Sequence, residues 1–399
     1  MLRDVFICGA ARTPIGNLNG SLSSLSAPQL GALAVADALR RARVAPSEVE
    51  ELLLGCVLTA GVGQAPARQA CRAAGLPDSV VCTTVNKVCA SGAKAILLAA
   101  QAIQSGADVV VAGGMESMSN CPYYIRARQG LRLGHSQALD GVIHDGLWDP
   151  YGNQHMGACA ELCGREHSVS RAEQDAFAAE SARRARAAVA SGATSAEIVP
   201  VAVPAAKRGG APVIVSSDET VAKGGDLSVL AKLAAVFQRE GTVTAGNSSG
   251  ISDGAAALVL CSADAVRRLG LTPLARLRGW GEAAQTPERF TTTPALAIPK
   301  ALAAAGVQAS QVAAYEINEA FSVVSIANIR LLGLDPAKTN RHGGAVAMGH
   351  PIGASGARIV VTLLNVLACC NGGLGVAAIC NGGGGATALV VERLPQAKL

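Results

Sequence analysis

Aromatic side chains are scarce in this chain of 399 residues: Phe, Tyr and Trp make up only 3% of it. Proteins that grip single-stranded nucleic acid stack its bases on such rings, so the composition argues against that class. Charge is sparse as well. Lys and Arg number 34 against 29 Asp and Glu, and charged residues are 16% of the chain. The net charge of +5 is scattered, with no basic stripe for a nucleic-acid backbone or a membrane surface, though it suits an anionic small substrate. No run of 18 uninterrupted apolar residues occurs, so nothing is expected to span a membrane. There is no C-x-x-C pair, and neither Cys159 with Cys163 nor Cys369 with Cys370 has the partners a zinc site needs, so no metal is expected. The chain opens Met1-Leu2-Arg3-Asp4 and runs straight into Val5-Phe6-Ile7-Cys8, which does not read as a secretory leader. The twelve Cys therefore read as mostly buried thiols in a reducing, cytoplasmic setting. Ala397-Lys398-Leu399 is close to a Ser-Lys-Leu peroxisomal address and marks the alternative. Gly61-Val62-Gly63 continues Gln64-Ala65-Pro66 and is no dinucleotide fingerprint.

What is abundant is small and apolar. Half the chain is hydrophobic, with 45 Gly, enough to build a large core of tightly packed α/β layers. An internal echo organises it. Ala90-Ser91-Gly92-Ala93-Lys94 opens a helical run, followed by a glycine turn and the strand Val109-Val110-Val111 ending in Gly113-Gly114. Ala354-Ser355-Gly356-Ala357-Arg358 opens another, followed by Gly372-Gly373 and a strand from Val376 to Ile379 that ends in Gly382 to Gly385. Continuously apolar strands are buried on both faces, which predicts a duplicated α/β fold. The expected division is 1–119 with 244–271 as the first copy, 272–399 as the second, and 120–243 as an inserted loop region lying over the first. That insertion holds four of the six His and an Arg-rich helix from Arg171 to Arg186, read as a solvated face. His135, His144, His167 and His342 read as solvated or capping residues, and Trp148 and Trp280 as packing residues.

Cys89 follows the strand Val80 to Val85 at the start of a helix, where unpaired N–H groups and the helix dipole favour a thiolate. His350 stands at a related place in the second copy, in the glycine-rich turn Gly349-His350-Pro351-Ile352-Gly353 before a helix. Cys380 ends the last strand before four glycines whose bare N–H groups suit a developing oxyanion. Asn318 sits at a strand-to-helix junction. Two Cys, one His and one Asn at such turns suit acyl transfer through a thioester.

These motifs resemble the thiolase family across essentially the whole chain. Val88-Cys89-Ala90-Ser91-Gly92, the stretch Ala112 to Ser119, Asn318-Glu319-Ala320-Phe321, the stretch Gly349 to Gly356 and Cys380-Asn381-Gly382-Gly383-Gly384 stand in the family's order. The likeness is greatest to its short-chain, biosynthetic branch, supported by His155-Met156-Gly157 and Phe290-Thr291-Thr292. It implies two βαβαβαββ halves in a five-layered α-β-α-β-α core with an inserted loop domain. It also implies reversible condensation of two acetyl-CoA to acetoacetyl-CoA and CoA, with CoA as a substrate and no cofactor. Cys89 would carry the acetyl group, His350 would activate it, and Cys380 would take the α-proton. Asn318 would hold a water that, with His350 Nε2, stabilises the enolate, and the amides of Cys89 and Gly382 would form a second oxyanion hole. CoA contacts would fall on Leu147, His155, Met156, Phe237, Ala245, Ser249, Ala320 and Phe321, with Phe290 beside the acyl group. Ala222 stands where some relatives have an adenine-contacting Arg, leaving Lys223 beside it. Ala182 stands where some have a potassium-binding Tyr, so no potassium requirement is expected. A homotetramer or dimer is implied. The alternatives are a broader 3-ketoacyl-CoA enzyme of fatty-acid breakdown and, from another class, a non-catalytic CoA carrier, which would have lost one of the three key side chains. A carrier-protein condensing enzyme would have His in place of Cys380. A Cys89–Cys380 disulfide formed under peroxide is a side hypothesis, marked by lost activity and a matching mass change.

Overall fold

The computed structural model describes residues 3–131, 133–205, 210–221 and 224–395. The first copy runs β1 (Val5–Arg12), α1 (Ala27–Ala42), β2 (Glu51–Gly55), α2 (Pro66–Ala73), β3 (Val81–Val85), α3 (Ser91–Gln104) and β4 (Val109–Ser117). After it come α4 (Met156–Glu166) and α5 (Arg171–Ala190), and then β5 (Ser252–Ser262) returns to the first copy's sheet. The second copy runs β6 (Ala275–Ala284), α6 (Pro294–Ala305), β7 (Val312–Ile317), α7 (Ser322–Leu332), α8 (Ile352–Cys369), β8 (Leu374–Asn381) and β9 (Gly385–Arg393).

The strands pair in the order β7-β8-β9-β6-β1-β5-β4-β2-β3. β1 and β6 meet over only Val5–Ile7 against Ala275–Leu277, so this path is two sheets touching at one corner. Side-chain alternation then sets the layers. Leu52, Leu54, Val109 and Val111 point to α1, whereas Leu53, Val110 and Ala112 point to α3 and α8 in the middle. Ala377, Ile379, Leu389 and Val391 close that middle layer from the second sheet, and Val376, Ala378 and Val390 face α6 on the outside. Five layers result. α8 is long and apolar enough to cross a membrane, but 83% of it is buried in this central layer.

The Ala-Ser-Gly-Ala echo has a packing cause. A Cβ on Gly92 would lie 2.7 Å from the Ala357 nitrogen, and one on Gly356 would run into the Ala93 backbone. The two central helices cross reciprocally at these glycines, the close approach that only a missing side chain allows. Gly92→Val should therefore cost about 2–3 kcal/mol through overpacking. Calorimetry of the variant should show unfolding several degrees lower; an unchanged Tm would refute the crossing's importance.

The second copy departs from the first at one strand. Opposite β7, where β3 would repeat, the described residues make only an isolated bridge between Tyr315 and Thr339. Asn340 replaces the ladder with its side chain, accepting the Ile317 N–H at 2.8 Å and donating to the Ile317 carbonyl at 2.8 Å.

Three expectations need correction. The helices of the insertion pack mainly on the second copy: α4 on α7 and the turn 287–292, and α5 on α7 and the short helix 345–348. The first copy holds the insertion by Val201 and Val203, packed into the α1 core, and by polar contacts, above all fully buried Arg12, bonded to Glu197 at 2.6 Å and to both Asp218 oxygens at 2.7 and 2.9 Å. α5 is not simply a solvated face, since Ala178, Ser181, Ala182, Ala185 and Ala188 are buried; small side chains at helical spacing let it approach closely. Trp148 is 38% exposed and bonds Asn153 through its indole N–H rather than filling a core.

Candidate active site

Between β3 and α3 the chain makes a strained elbow. Val88 adopts φ +48°, a conformation costly for a β-branched residue. Ser91 Oγ holds it there, accepting the Lys87 N–H at 2.8 Å and donating to the Val88 carbonyl at 2.6 Å. Lys87 Nζ is itself tied to Glu282 at 2.5 Å and Thr387 at 2.9 Å on the second sheet. The elbow puts Cys89 on the wall of a cavity of about 380 Å³. Two backbone N–H groups, from Gly382 and from Cys89 itself, face its sulfur and favour its charged form.

A ready thiolate was expected here, and the structure corrects that. Burial pushes the Cys89 thiol up to about 11, and the negative charge of Glu116 adds to the rise, outweighing the two N–H groups. Desolvation is a property of the folded cavity that a helix N-terminus in the sequence does not reveal. Iodoacetamide attacks only thiolate, so inactivation should rise about tenfold per pH unit from pH 7 to 10. A plateau near pH 8.5 would refute the raised value.

His350 follows Gly349, whose φ of +109° turns the chain into α8. Its N–H bonds the Gly250 carbonyl at 3.0 Å, and Nδ1 lies 2.5 Å from Ser355 Oγ, which donates onward to the Pro351 carbonyl at 2.9 Å. With the Ser355 proton committed, Nδ1 carries hydrogen and Nε2 keeps its lone pair. Burial, and then the positive charge of Arg358, lower this imidazole to about 3. It is a neutral base. Asn318 is placed by its N–H on the Ala378 carbonyl, and its Nδ2 lies 3.4 Å from His350 Nε2. Buried Cys380 is the penultimate residue of β8, its thiol driven well above the usual range by burial and then by Cys89.

Of the residues expected to bind substrate, Leu147, His155, Met156, Phe237, Ala245, Ser249, Phe290, Ala320 and Phe321 line the same cavity as Cys89 and His350. Asn318 and Cys380 are buried beyond that lining, Gly382 is half-buried outside it, and Lys223 and Ala222 lie outside the described residues. His155 accepts the Gly157 N–H at 3.0 Å through Nδ1 and stacks on Phe237, ring centres 4.7 Å apart. Phe237 meets Phe321 edge-on at 6.2 Å. Together these rings make an apolar, short-reaching wall.

Sequence reasoning missed Glu116, although it lies in a quoted motif. Its buried carboxylate accepts N–H bonds from Val57, Leu58 and Gly353 at 3.0, 3.1 and 2.8 Å, tying β4 to the start of α8. Desolvation raises it to about 7 against the pull of these bonds. Ser355 and Arg358 were also passed over. The signal was in the echo, because Ser355 steadies the His350 turn as Ser91 steadies the Cys89 turn, and Arg358 matches Lys94.

A duplicated α/β fold that gathers two Cys and a neutral His around an apolar cavity defines a cysteine-dependent acyltransferase. The chain matches the thiolase N-terminal domain over residues 5–264 and the thiolase C-terminal domain over residues 271–393, and it belongs to the thiolase family. It is 58% identical over 395 residues to acetyl-CoA acetyltransferase 2 of Arabidopsis thaliana, covering 98% of each chain. It is 50% identical over 395 residues to a cytosolic acetyl-CoA acetyltransferase of Gibberella zeae, covering 98% of this chain and 99% of that one. Among solved structures, the Acat5 thiolase of Ascaris suum in complex with coenzyme A superposes with a TM-score of 0.93 at 44% identity, covering 98% of this chain and 100% of that one.

Proposed function

We propose that this protein is an acetyl-CoA acetyltransferase, joining two acetyl-CoA into acetoacetyl-CoA and CoA and running the reverse cleavage. The observation that carries the reading is the pair of N–H groups, from Cys89 and Gly382, converging on a cysteine sulfur in a cavity shared with neutral His350. Attack of that sulfur on a thioester carbonyl, with its proton passing to His350 Nε2, puts the new oxyanion within reach of those donors. CoA leaves with the proton of Cys380, the acetyl group stays on Cys89, and His350 keeps the Cys89 proton on Nε2. A second acetyl-CoA then loses its α-proton to the Cys380 thiolate, its enolate oxygen held by His350 Nε2–H and by a water on Asn318. The carbanion attacks the acetyl-Cys89 carbonyl, and the departing sulfur takes back the proton from His350 as the free thiol. CoA enters only as substrate, and we propose no cofactor and no potassium requirement.

The broader 3-ketoacyl-CoA alternative is less well supported. Phe290 is fully buried beside Met156, and the ring stack of His155, Phe237 and Phe321 forms the wall. The test is cleavage of acetoacetyl-CoA by added CoA beside an eight-carbon 3-ketoacyl-CoA. The short substrate should react at least about tenfold faster, the discrimination a blocked acyl pocket supports. Equal or faster turnover of the longer one would refute the short-chain assignment.

We also propose the division 1–119 with 244–271, 120–243 and 272–399, and a cytoplasmic location supported by the cytosolic relative. A homotetramer fits two exposed features. β3 is an edge strand with Val81 60% exposed, suited to pairing with a second copy, and Tyr123, Ile125 and Leu131 project from the insertion.

A further inference from the structure

Arg358 is 3% exposed, inside the central helix α8. Its Nη2 lies 3.4 Å from Asn318 Oδ1, and its Nη1 lies 3.7 Å from Glu316 Oε2, itself 1% exposed. Arg358 Nη1 and Glu316 Oε1 have no hydrogen-bond partner among the described residues. So deeply buried and loosely bonded an ion pair is a poor source of stability, because desolvating two charges costs more than this contact returns. Its geometry suggests a different use.

A side-chain amide can turn over, exchanging its oxygen and its NH2 group. Turned over in the resting enzyme, Asn318 would set NH2 against the guanidinium donors and its oxygen against the lone pair of His350 Nε2. Both contacts would repel. Resting on the acyl-transfer reading above, we infer that Arg358, backed by Glu316, is a positioning residue that locks the Asn318 amide with its NH2 toward His350 and the enolate oxygen. The other charges around Arg358 are Arg12, Glu197 and Glu319. None of these carboxylates is free to replace it: Glu319 is held by Ser181, Asn340 and the Val346 N–H, and Glu197 by Arg12. In the first copy Lys94 takes the matching place and reaches Glu282 across to β6 at 2.7 Å. Only the second copy puts a guanidinium behind an amide.

The test compares wild type, Arg358→Met with Glu316→Met, Asn318→Ala, and all three changes together. Removing both charges avoids leaving one buried alone. Acetylation of Cys89 by acetyl-CoA is read by intact mass, and carbon–carbon cleavage of acetoacetyl-CoA by steady-state rate. The paired change should lower kcat for cleavage by about 10- to 100-fold, with KM and the acetylation rate within about threefold. Placed on Asn318→Ala, it should cost less than about twofold more, because a residue acting through Asn318 has nothing left to position. Independent, multiplicative losses, or equal losses in both half-reactions, would overturn the inference. If the paired variant does not fold, Arg358→Lys keeps the charge but loses the planar fork, and the same non-additivity with Asn318→Ala is expected. Wild type without turnover would overturn the acyl-transfer reading together with this inference; turnover with multiplicative losses would overturn the inference alone.

Discussion

Cys89→Ser will lower acetoacetyl-CoA cleavage on the order of 10⁴-fold or more, and no acetyl adduct will form on the variant. Its hydroxyl would sit under the same two N–H donors, but His350 is a weak base, lowered to about 3, and a serine is far harder to deprotonate than a thiol. Cys380→Ser will behave differently. It should lose on the order of 10³-fold in cleavage yet still take up acetyl from acetyl-CoA, because Cys89 and its donors are untouched. Quenched samples examined by intact mass separate the two. An adduct on Cys89→Ser, or none on Cys380→Ser, would sink the assignment of roles.

His350→Asn should cost about 10²- to 10⁴-fold in both half-reactions, the range for removing a positioned base. Both steps fall because His350 receives the Cys89 proton and also faces the enolate oxygen. The wild-type rate should carry no histidine-like acid limb between pH 5 and 8, since the buried ring stays neutral throughout. Stability carries the opposite signature. The folded ring sits at about 3 and the unfolded one near 6.5, so its contribution is full above pH 6.5 and is lost as pH falls toward 3. Chemical denaturation at pH 7 and pH 4.5 should show a smaller acid loss for His350→Asn than for wild type. An acid limb near pH 6.5 in kcat that survives Glu116→Gln, which removes the nearby carboxyl raised to about 7, would show that the ring titrates, contrary to its burial.

The order of the catalytic turns and the echo between copies could be read in the sequence, because glycines, strand ends and helix starts are local signals. Cys89 and His350 fall at equivalent turns for that reason. The thiol's resistance to ionisation was not legible: Cys89 stands at a helix start, but only the folded cavity removes its water. Nor was the seat of the insertion, since the small residues of α5 read as a polar helix until their partners on α7 were known. Arg358 was hidden by distance, lying 40 residues from the Asn318 it faces. Asn340 imitates a missing strand with one side chain, which no periodicity can report.

The nucleophile comes from the turn before α3 of one copy and the base from the turn before α8 of the other, equivalent turns in which Cys89 matches Gly353 and His350 matches Asn86. Two identical units could place these side chains only in duplicate, two thiols and two imidazoles crowded into one space. Fusion into one chain removed that constraint. Once the halves were encoded separately, equivalent positions could diverge, and the helix crossing at Gly92 and Gly356 kept the diverged turns facing one another. The asymmetry of the chemistry is thus a product of linkage, and a symmetric pair of half-chains could not reproduce it.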